Sequence, residues 1–231
     1  VEKYKKELKK DSRFSDIEFK EDIGFELPFR KMVVKVKREI VRFEQEVDLN
    51  KKGNYVSPKK FLEFYSDGEV DNGKIIILDA RNNYESRVGR FKGAITPDIS
   101  LFNEFPKVVN ALKGKEDKKI VMYCTGGIRC EKASAYLVQK GFKDVSQLRG
   151  GVLAFGKEFP DSVWEGKCFV FDKRLIIGIN SDDAGISSCE ICGGNCDLYR
   201  NCKNKECDKL TVLCSACKSD MKGCCSDDCL F

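Results

Sequence analysis

The sequence predicts an α/β protein built on a parallel sheet flanked by helices. Between residues 57 and 166, short apolar runs alternate with helix-like segments, and this alternation favours parallel strands covered by helices. The flanking regions differ in composition, since a charged segment precedes this region and ten of the 13 cysteines lie after residue 188. These shifts predict three parts: a small amino-terminal part, 1–50, a central domain, 51–166, and a cysteine-rich extension, 167–231.

The amino-terminal part has a basic stretch near its end. The first ten residues are charged and helix-like, and further along Lys31, Lys35 and Lys37 alternate with Val34 and Val36, with Arg38 following. This alternation predicts a strand with one buried face and one basic face. The basic face suits contacts with phosphates, and a solvated sheet surface is the alternative.

The central domain begins with a clear helix start. Ser57 precedes Pro58, and a serine cap followed by proline in the first turn is typical of helix amino termini. The polar stretch 51–54 is interpreted as a linker before it. The sequence then predicts a helix at 61–65, a strand at 74–79, a helix at 102–112, a strand at 120–123, a helix at 131–140 and a strand at 145–148.

A cysteine lies where the strand at 120–123 ends. Small residues follow Cys124 before the next helix, so backbone amides and the positive helix end converge there and favour an anion. We expect the thiol pKa of Cys124 to fall below the ordinary value of about 8.5, which makes it a nucleophile. Arg129 adds a fixed charge and donors suited to an oxyanion. The alternative is a buried cysteine before a glycine turn. The whole loop comprises Cys124, Thr125, Gly126, Gly127, Ile128 and Arg129.

Charged residues follow the neighbouring predicted strand. In open parallel sheets ligands bind beyond the carboxyl ends of strands, where Asp79, Arg81 and Glu85 are expected. We expect these three to brace the loop through charge-assisted hydrogen bonds. Cys130 is expected to face the core, and a role in resolving an oxidised Cys124 is the alternative.

Composition excludes several kinds of chemistry. The chain has no histidine, which excludes Cys-His and Ser-His-Asp catalysis and histidine-ligated metals. No nucleotide or flavin motif is evident, and no apolar run approaches the roughly 18 residues of a membrane span. The net charge of +5 is modest. A reactive thiolate belongs in a reducing compartment, so a cytoplasmic location is expected.

The tail carries two cysteine pairs at zinc-ribbon spacing. The pairs are Cys189 with Cys192 and Cys214 with Cys217. Two residues separate the cysteines within each pair, and 21 residues separate Cys192 from Cys214. With few large apolar residues, such a tail needs metal or disulfides to fold, and we expect structural zinc; disulfides or a disordered reduced tail are the alternatives. Cys196 is a further thiol of the tail. The candidate ligands are Cys189, Cys192, Cys202, Cys207, Cys214, Cys217, Cys224, Cys225 and Cys229.

Several segments together resemble one known family. Residues 123–137, YCTGGIRCEKASAYL, are similar to the active-site segment of the rhodanese-like tRNA uridine hydroxylases. Upstream, ILDARNNYE and GRFKGAI are similar to the family's strand, turn and loop, and downstream LRGGV and WEGKCFVFD continue the pattern in order. The resemblance extends from about residue 31 to the end of the chain.

The resemblance implies a function. It implies a rhodanese fold that hydroxylates carbon 5 of the wobble uridine, position 34, of tRNA, with molecular oxygen as co-substrate and Cys124 required. It also implies that residues 1–50 correspond to part of an acylphosphatase or ferredoxin-like sandwich, and that Lys35, Lys37 and Arg38 contact RNA. The tail resembles the family's cysteine-rich extension.

Two other functions remain open. A plain sulfurtransferase would pass a sulfane sulfur through a persulfide on Cys124. Four residues separate Cys124 from Arg129, and this spacing matches a rhodanese loop and suits a persulfide sulfur better than a phosphate. A tRNA-binding module with an inactive loop is disfavoured because Cys124 and Arg129 are both present.

Overall fold

The computed structural model describes residues 1–19, 21, 34–182 and 184–230. It divides into two units, Val1–Val33 and Val34–Phe231. The first unit contains helix α1, Glu2–Lys9, which begins with an acidic residue and ends with basic ones, as the helix dipole favours.

The second unit contains the predicted alternation of strands and helices. In chain order its elements are β1 (Asn54–Val56), α2 (Pro58–Ser66), β2 (Ile75–Asp79), α3 (Asn83–Val88), β3 (Gly89–Phe91), α4 (Pro106–Ala111), β4 (Lys119–Tyr123), α5 (Ile128–Gln139), β5 (Asp144–Leu148) and α6 (Gly151–Glu158). It continues with β6 (Trp164–Gly166), β7 (Cys168–Phe169), β8 (Ile176–Ile177), β9 (Tyr199–Asn201), β10 (Leu210–Val212) and α7 (Ser215–Asp220).

Four parallel strands form the central sheet. Their order is β1-β5-β4-β2, and each neighbouring pair is parallel. Strand β4 lies between β5 and β2, and its Ile120 and Tyr123 are fully buried. The predicted parallel α/β architecture is confirmed. Cys124 follows β4 directly, so it lies at the carboxyl end of an inner strand, where parallel sheets bind ligands.

Apolar side chains cover both faces of this sheet. On one face Phe43 and Tyr136 meet edge to face, with ring centroids 5.5 Å apart. On the other, Phe91 packs against Phe155 and Trp164 at 4.9 and 5.0 Å. Burial of such large side chains on two sides stabilises the sheet and fixes where its strands end.

Local signals explain most element boundaries. The hydroxyl of Ser57 accepts the Lys60 amide at 3.2 Å and caps α2, as predicted. The predicted helix at 102–112 is broken into a 3-10 turn, Phe102–Glu104, and α4, because Pro106 has no amide hydrogen to continue the first turn. Strand β1 was not predicted, since only three residues form it and its preceding residues are polar.

The structure contradicts the strand predicted from the basic stretch. Residues 34–38 form no strand, and Val34 and Val36 are 87% and 103% exposed, so neither lies on a buried face. An alternation of apolar and charged residues forms a strand only where a neighbouring strand can pair with it and a core can bury its apolar side chains. Within the described part of the chain, residues 34–38 have neither. Residues 31–33 of the predicted stretch lie outside the described residues.

The carboxy-terminal part packs on the central domain through a small apolar cluster. Val88 of α3 and Phe169 of β7 join Tyr199, Val212 and Leu213 of the tail. Strands β9 and β10 pair antiparallel within the tail. Among the described residues, no helix is long and apolar enough to span a membrane.

Candidate functional site

Cys124 lies in a cradle of hydrogen-bond donors. Its side chain is 2% exposed, and the amide of Gly127 donates to its sulfur at 3.1 Å. The thiol of Cys130 and the amides of Arg129 and Cys130 also donate to it. These donors, with the positive charge of Arg129, outweigh burial and lower the pKa of Cys124 to about 6.

The cradle depends on where helix α5 begins. Gly127 precedes the first helical residue with φ of 91°, a left-handed conformation that glycine adopts without strain. The helix therefore begins at Ile128, three residues before the predicted start, and its first amides point at the sulfur. Gly126 and Gly127 are half-buried and Ile128 is exposed, so the loop's outer edge faces solvent.

Ionisation of Cys124 should be visible in its reactivity. We expect the alkylation rate of Cys124 to be half-maximal at pH about 6, since only the thiolate reacts and the proton returns below that pH. Site-resolved mass spectrometry of the Cys124 peptide after timed iodoacetamide treatment measures this. Cys130→Ala should move the midpoint upward, because it removes a donor to the thiolate. A midpoint near the ordinary value of about 8.5 in the wild-type protein contradicts the prediction.

Helix α6 clamps the loop from the other side. The amides of Val152 and Leu153 donate to the carbonyls of Cys124 and Thr125 at 3.0 and 3.1 Å. The approach is so close that a Cβ on Gly151 would lie 2.3 Å from the Cys124 carbonyl oxygen, and Gly151 has φ of +65°. Sequence reasoning did not assign this residue to the site. Its signals were the pair of adjacent glycines after β5 and its place in the segment LRGGV that resembles the family.

Arg129 and Glu85 form a buried ion pair. Arg129 Nη2 lies 2.6 Å from Glu85 Oε2, and Nη1 contacts Oε1. Thr125 Oγ1 lies 3.2 Å from both the Arg129 Nη2 and the Glu85 Oε2 atoms. Two donor nitrogens of Arg129 are thus engaged by a carboxylate, whereas the sequence suggested a fork open to an oxyanion. Arg129 acts on Cys124 through its charge, and Glu85 ties the loop to α3.

Asp79 and Arg81 form a second buried network behind the first. Arg81 Nη2 lies 2.6 Å from Asp79 Oδ2, and both side chains are fully buried. The hydroxyl of Tyr123 donates to the same carboxylate oxygen at 2.8 Å. The Arg81 guanidinium also donates to the carbonyl of Gly89 at 2.6 Å. This network fixes the residue that precedes Cys124, so its support of the loop runs through Tyr123.

Removing the charge of Glu85 should weaken the protein measurably. We expect Glu85→Gln to lower the free energy of unfolding by about 3 kcal/mol, because it leaves the buried Arg129 charge without a full partner. Urea denaturation measures the change. The matched control is Asp117→Asn, which alters an exposed pair with Lys143 and should cost no more than about 0.5 kcal/mol. Equal losses in the two variants would contradict the buried pair's importance.

The tail cysteines gather into two groups of four. Within each group the sulfur atoms lie within 4.8 Å of one another. The Sγ–Sγ distances are 3.9 Å for Cys192 and Cys214, 3.6 Å for Cys207 and Cys225, and 3.8 Å for Cys225 and Cys229. The first group is Cys189, Cys192, Cys214 and Cys217, and the second is Cys202, Cys207, Cys225 and Cys229.

These distances fit zinc better than disulfides. A tetrahedron with Zn–S bonds of about 2.3 Å has S–S edges of about 3.8 Å, whereas a disulfide bond is about 2.05 Å long. Amide donors also point at the sulfurs, since Cys214 N–H lies 3.4 Å from Cys189 Sγ. Both donor sets are thiolates alone, which suits closed structural sites.

One predicted ligand is outside both groups. Cys224 is 6% exposed and contributes to neither set of four, and Cys196 is likewise absent from both. Four sulfur atoms already complete the tetrahedral coordination of each group. Of the adjacent residues Cys224 and Cys225, it is Cys225 whose sulfur contacts those of Cys207 and Cys229.

The tail contacts the helix that carries Glu85. The hydroxyl of Tyr199 donates to the Tyr84 carbonyl at 2.5 Å, and Arg87 forms an ion pair with Glu190 at 3.0 Å. Tyr84, Glu85 and Arg87 all belong to the six-residue helix α3. The tail therefore supports the same short helix that holds the active-site loop.

The predicted RNA-binding residues lie apart from these networks. Lys35, Lys37 and Arg38 are exposed. The segment that follows them is held on α5, because Glu39 pairs with Lys132 at 2.9 Å. The structure thus presents three cations at the surface, on a segment anchored to the helix that begins at the active-site loop.

Comparison with known proteins gives the family. A rhodanese-like domain model matches residues 57–158, and a rhodanese carboxy-terminal model matches residues 165–230. The tRNA uridine(34) hydroxylase of Chlamydia felis is 41% identical over 99% of this chain and 71% of its own length. Those of Chlamydia caviae and Chlamydia muridarum are 41% and 40% identical, each over 99% of this chain and 70% of their own length. This chain belongs to the tRNA uridine(34) hydroxylase family.

Solved structures of other proteins align with about half of this chain. The rhodanese-like domain of the Anabaena sp. Alr3790 protein aligns over 48% of this chain and 78% of its own, with 22% identity and a TM-score of 0.41. The rhodanese-like protein Ygr203w of Saccharomyces cerevisiae aligns over 51% of this chain and 89% of its own, with 14% identity and a TM-score of 0.39. The resemblance drawn from the sequence is confirmed at the level of the whole chain by the chlamydial relatives.

Proposed function

We propose that this protein hydroxylates uridine 34 of tRNA at carbon 5, giving 5-hydroxyuridine, with Cys124 as its reactive group. The observation that carries the proposal is a nucleophile held ionised by four donors at the end of an inner strand, in a chain about 40% identical to tRNA uridine(34) hydroxylases along its whole length. Molecular oxygen is the proposed oxygen source. One atom enters the C5–OH group, and the other leaves as water with two electrons from a reductant.

A sulfurtransferase is the second candidate function. The same cradle of amides that holds the Cys124 thiolate suits the terminal sulfur of a persulfide, because that sulfur also carries negative charge at neutral pH. Such an enzyme would take a sulfane sulfur from a donor and pass it to an acceptor thiol or cyanide. The names of the relatives favour the hydroxylase.

We further propose tRNA as the macromolecular partner and zinc as a structural metal. Lys35, Lys37 and Arg38 would contact phosphates, so tRNA affinity should fall as salt rises. The two four-cysteine groups would each hold one zinc ion, which supplies the cross-links that a small apolar core lacks. The free thiolate of Cys124 supports a reducing, cytoplasmic location.

Nucleoside mass spectrometry tests the proposed function. Cells that lack the protein are compared with the same cells carrying the intact chain, and total tRNA is digested to nucleosides. We expect 5-hydroxyuridine and its derivatives only with the chain, and we expect the purified protein to form them in air but not without oxygen. If the level of 5-hydroxyuridine is the same with and without the protein, while Cys124 takes up a sulfur atom from thiosulfate and passes it on, the sulfurtransferase function is correct.

A further inference from the structure

A short hairpin is held against the active-site loop. Strands β7 and β8 pair antiparallel, and the turn between them is closed by the Val170 amide donating to the Leu175 carbonyl at 2.7 Å. Within the turn the Arg174 guanidinium binds the Asp172 carboxylate, with Nη2 2.7 Å from Oδ2. These contacts hold the tip of the hairpin in one conformation.

Phe171 lies at this tip in an unusual environment. Its side chain is 59% exposed, although its ring centroid is only 5.5 Å from the guanidinium carbon of Arg129. Arg129 itself is 8% exposed and belongs to the loop of Cys124. Burying a phenylalanine side chain normally stabilises a protein, but more than half of the surface of Phe171 stays exposed here. A large flat apolar surface is therefore held open beside the nucleophile's loop.

The core does not need the Phe171 ring. The neighbouring aromatic, Phe169, is 4% exposed and packs edge to face on Tyr84 and Tyr199, at 5.2 and 5.5 Å. Phe169 thus joins the hairpin to α3 and the tail. Phe171 contacts Phe169 at 5.3 Å and extends beyond it toward Arg129.

We propose that Phe171 is the surface on which the target base stacks when it reaches Cys124. This inference rests on the proposed function. A pyrimidine in an RNA loop must leave its neighbours before an active-site group can reach it, which sacrifices stacking energy. An aromatic side chain of the protein restores stacking to the displaced base, whatever that base is.

A binding experiment with two RNAs tests the inference. The first is an anticodon stem-loop with uridine at position 34, and the second is the same RNA with an abasic residue there. We expect Phe171→Leu to weaken binding of the first RNA about tenfold and to leave binding of the second unchanged. Phe171→Trp should keep the wild-type affinity for both, since it retains an aromatic face.

Two controls separate this role from a structural one. Leu101→Ala truncates a side chain that is equally exposed, at 58%, and should change neither affinity. The Cys124 alkylation rate should be the same in wild-type protein and Phe171→Leu, because the variant leaves the loop intact. Equal weakening for both RNAs, no weakening for either, or slower alkylation would overturn the proposal.

The two proposals fail in different ways. If wild-type protein forms no 5-hydroxyuridine, the proposed function is wrong, yet base-dependent weakening by Phe171→Leu would still establish the stacking surface. If wild-type protein forms 5-hydroxyuridine while Phe171→Leu keeps the wild-type affinity and KM for tRNA, the function stands and the stacking surface is wrong.

Discussion

Cys124→Ser should abolish formation of 5-hydroxyuridine, with a fall in turnover of at least about 10³-fold, as expected when a nucleophile is removed from its machinery. Serine nearly matches cysteine in shape, but its hydroxyl does not ionise near neutral pH. The donors that lower the Cys124 pKa to about 6 would then surround a neutral group. Turnover of purified protein, followed by nucleoside mass spectrometry, measures the loss.

A second buried cysteine provides the matched control. Cys168 is also fully buried, but burial raises its pKa to about 12, so it carries no thiolate at neutral pH. Cys168→Ser should keep turnover within about threefold of wild type, because the exchange touches no reactive group. Loss of activity in both variants, or its survival in Cys124→Ser, would remove Cys124 from the chemistry.

Local patterns in the sequence predicted the sheet and the nucleophile. Strands β2, β4 and β5 were predicted to within a residue at each end. Strands β2 and β4 are apolar runs, whereas β5 has polar residues at its centre and was predicted from the alternation of strands with helices. The loop was predicted because two glycines between a strand and a helix bring amides together whatever the rest of the fold does. These features depend on neighbours in sequence.

Other features of the site depend on residues far apart in sequence. The Glu85 carboxylate meets Arg129 across 44 positions, and Gly151 lies against the Cys124 carbonyl only because α6 packs there. The division of tail cysteines into two groups also arises from folding, since spacing alone allows many pairings. Phe171 lies in the segment WEGKCFVFD that resembles the family, but no local pattern assigns it a role, because that role depends on its place beside Arg129 in the fold.

Helix α3 links the tail to the active site. Its Glu85 side chain holds Arg129, while its Tyr84 carbonyl and its Arg87 side chain hold the tail. Six residues are too few for a helix that is stable alone, so its position depends on these contacts. Disorder in the tail should therefore also displace Glu85, because Tyr84 and Arg87, which contact the tail, belong to the same short helix.

Loss of metal from the tail should accordingly reduce activity. Of the two zinc ions proposed per chain, we expect Cys214→Ser to remove about one and to lower turnover at least about tenfold, because metal binding supplies the folding energy of such tails. The second group should keep its ion, since all four of its sulfurs remain. Metal analysis of the purified variant and its rate of uridine hydroxylation measure both effects.

The buried Cys224 makes this prediction specific. It belongs to neither group, so Cys224→Ser should retain two zinc ions, whereas Cys207→Ser should lose the second group's ion. The pH midpoint of Cys124 alkylation distinguishes a local effect from global unfolding. If only α3 is displaced, Arg129 loses its contact with Glu85, but the amides at the start of α5 still donate to the sulfur. The pKa of Cys124 should then stay well below about 8.5. Unchanged turnover after loss of the first ion would show that catalysis does not need the tail, and that the contacts of α3 within the central domain are enough to place Glu85.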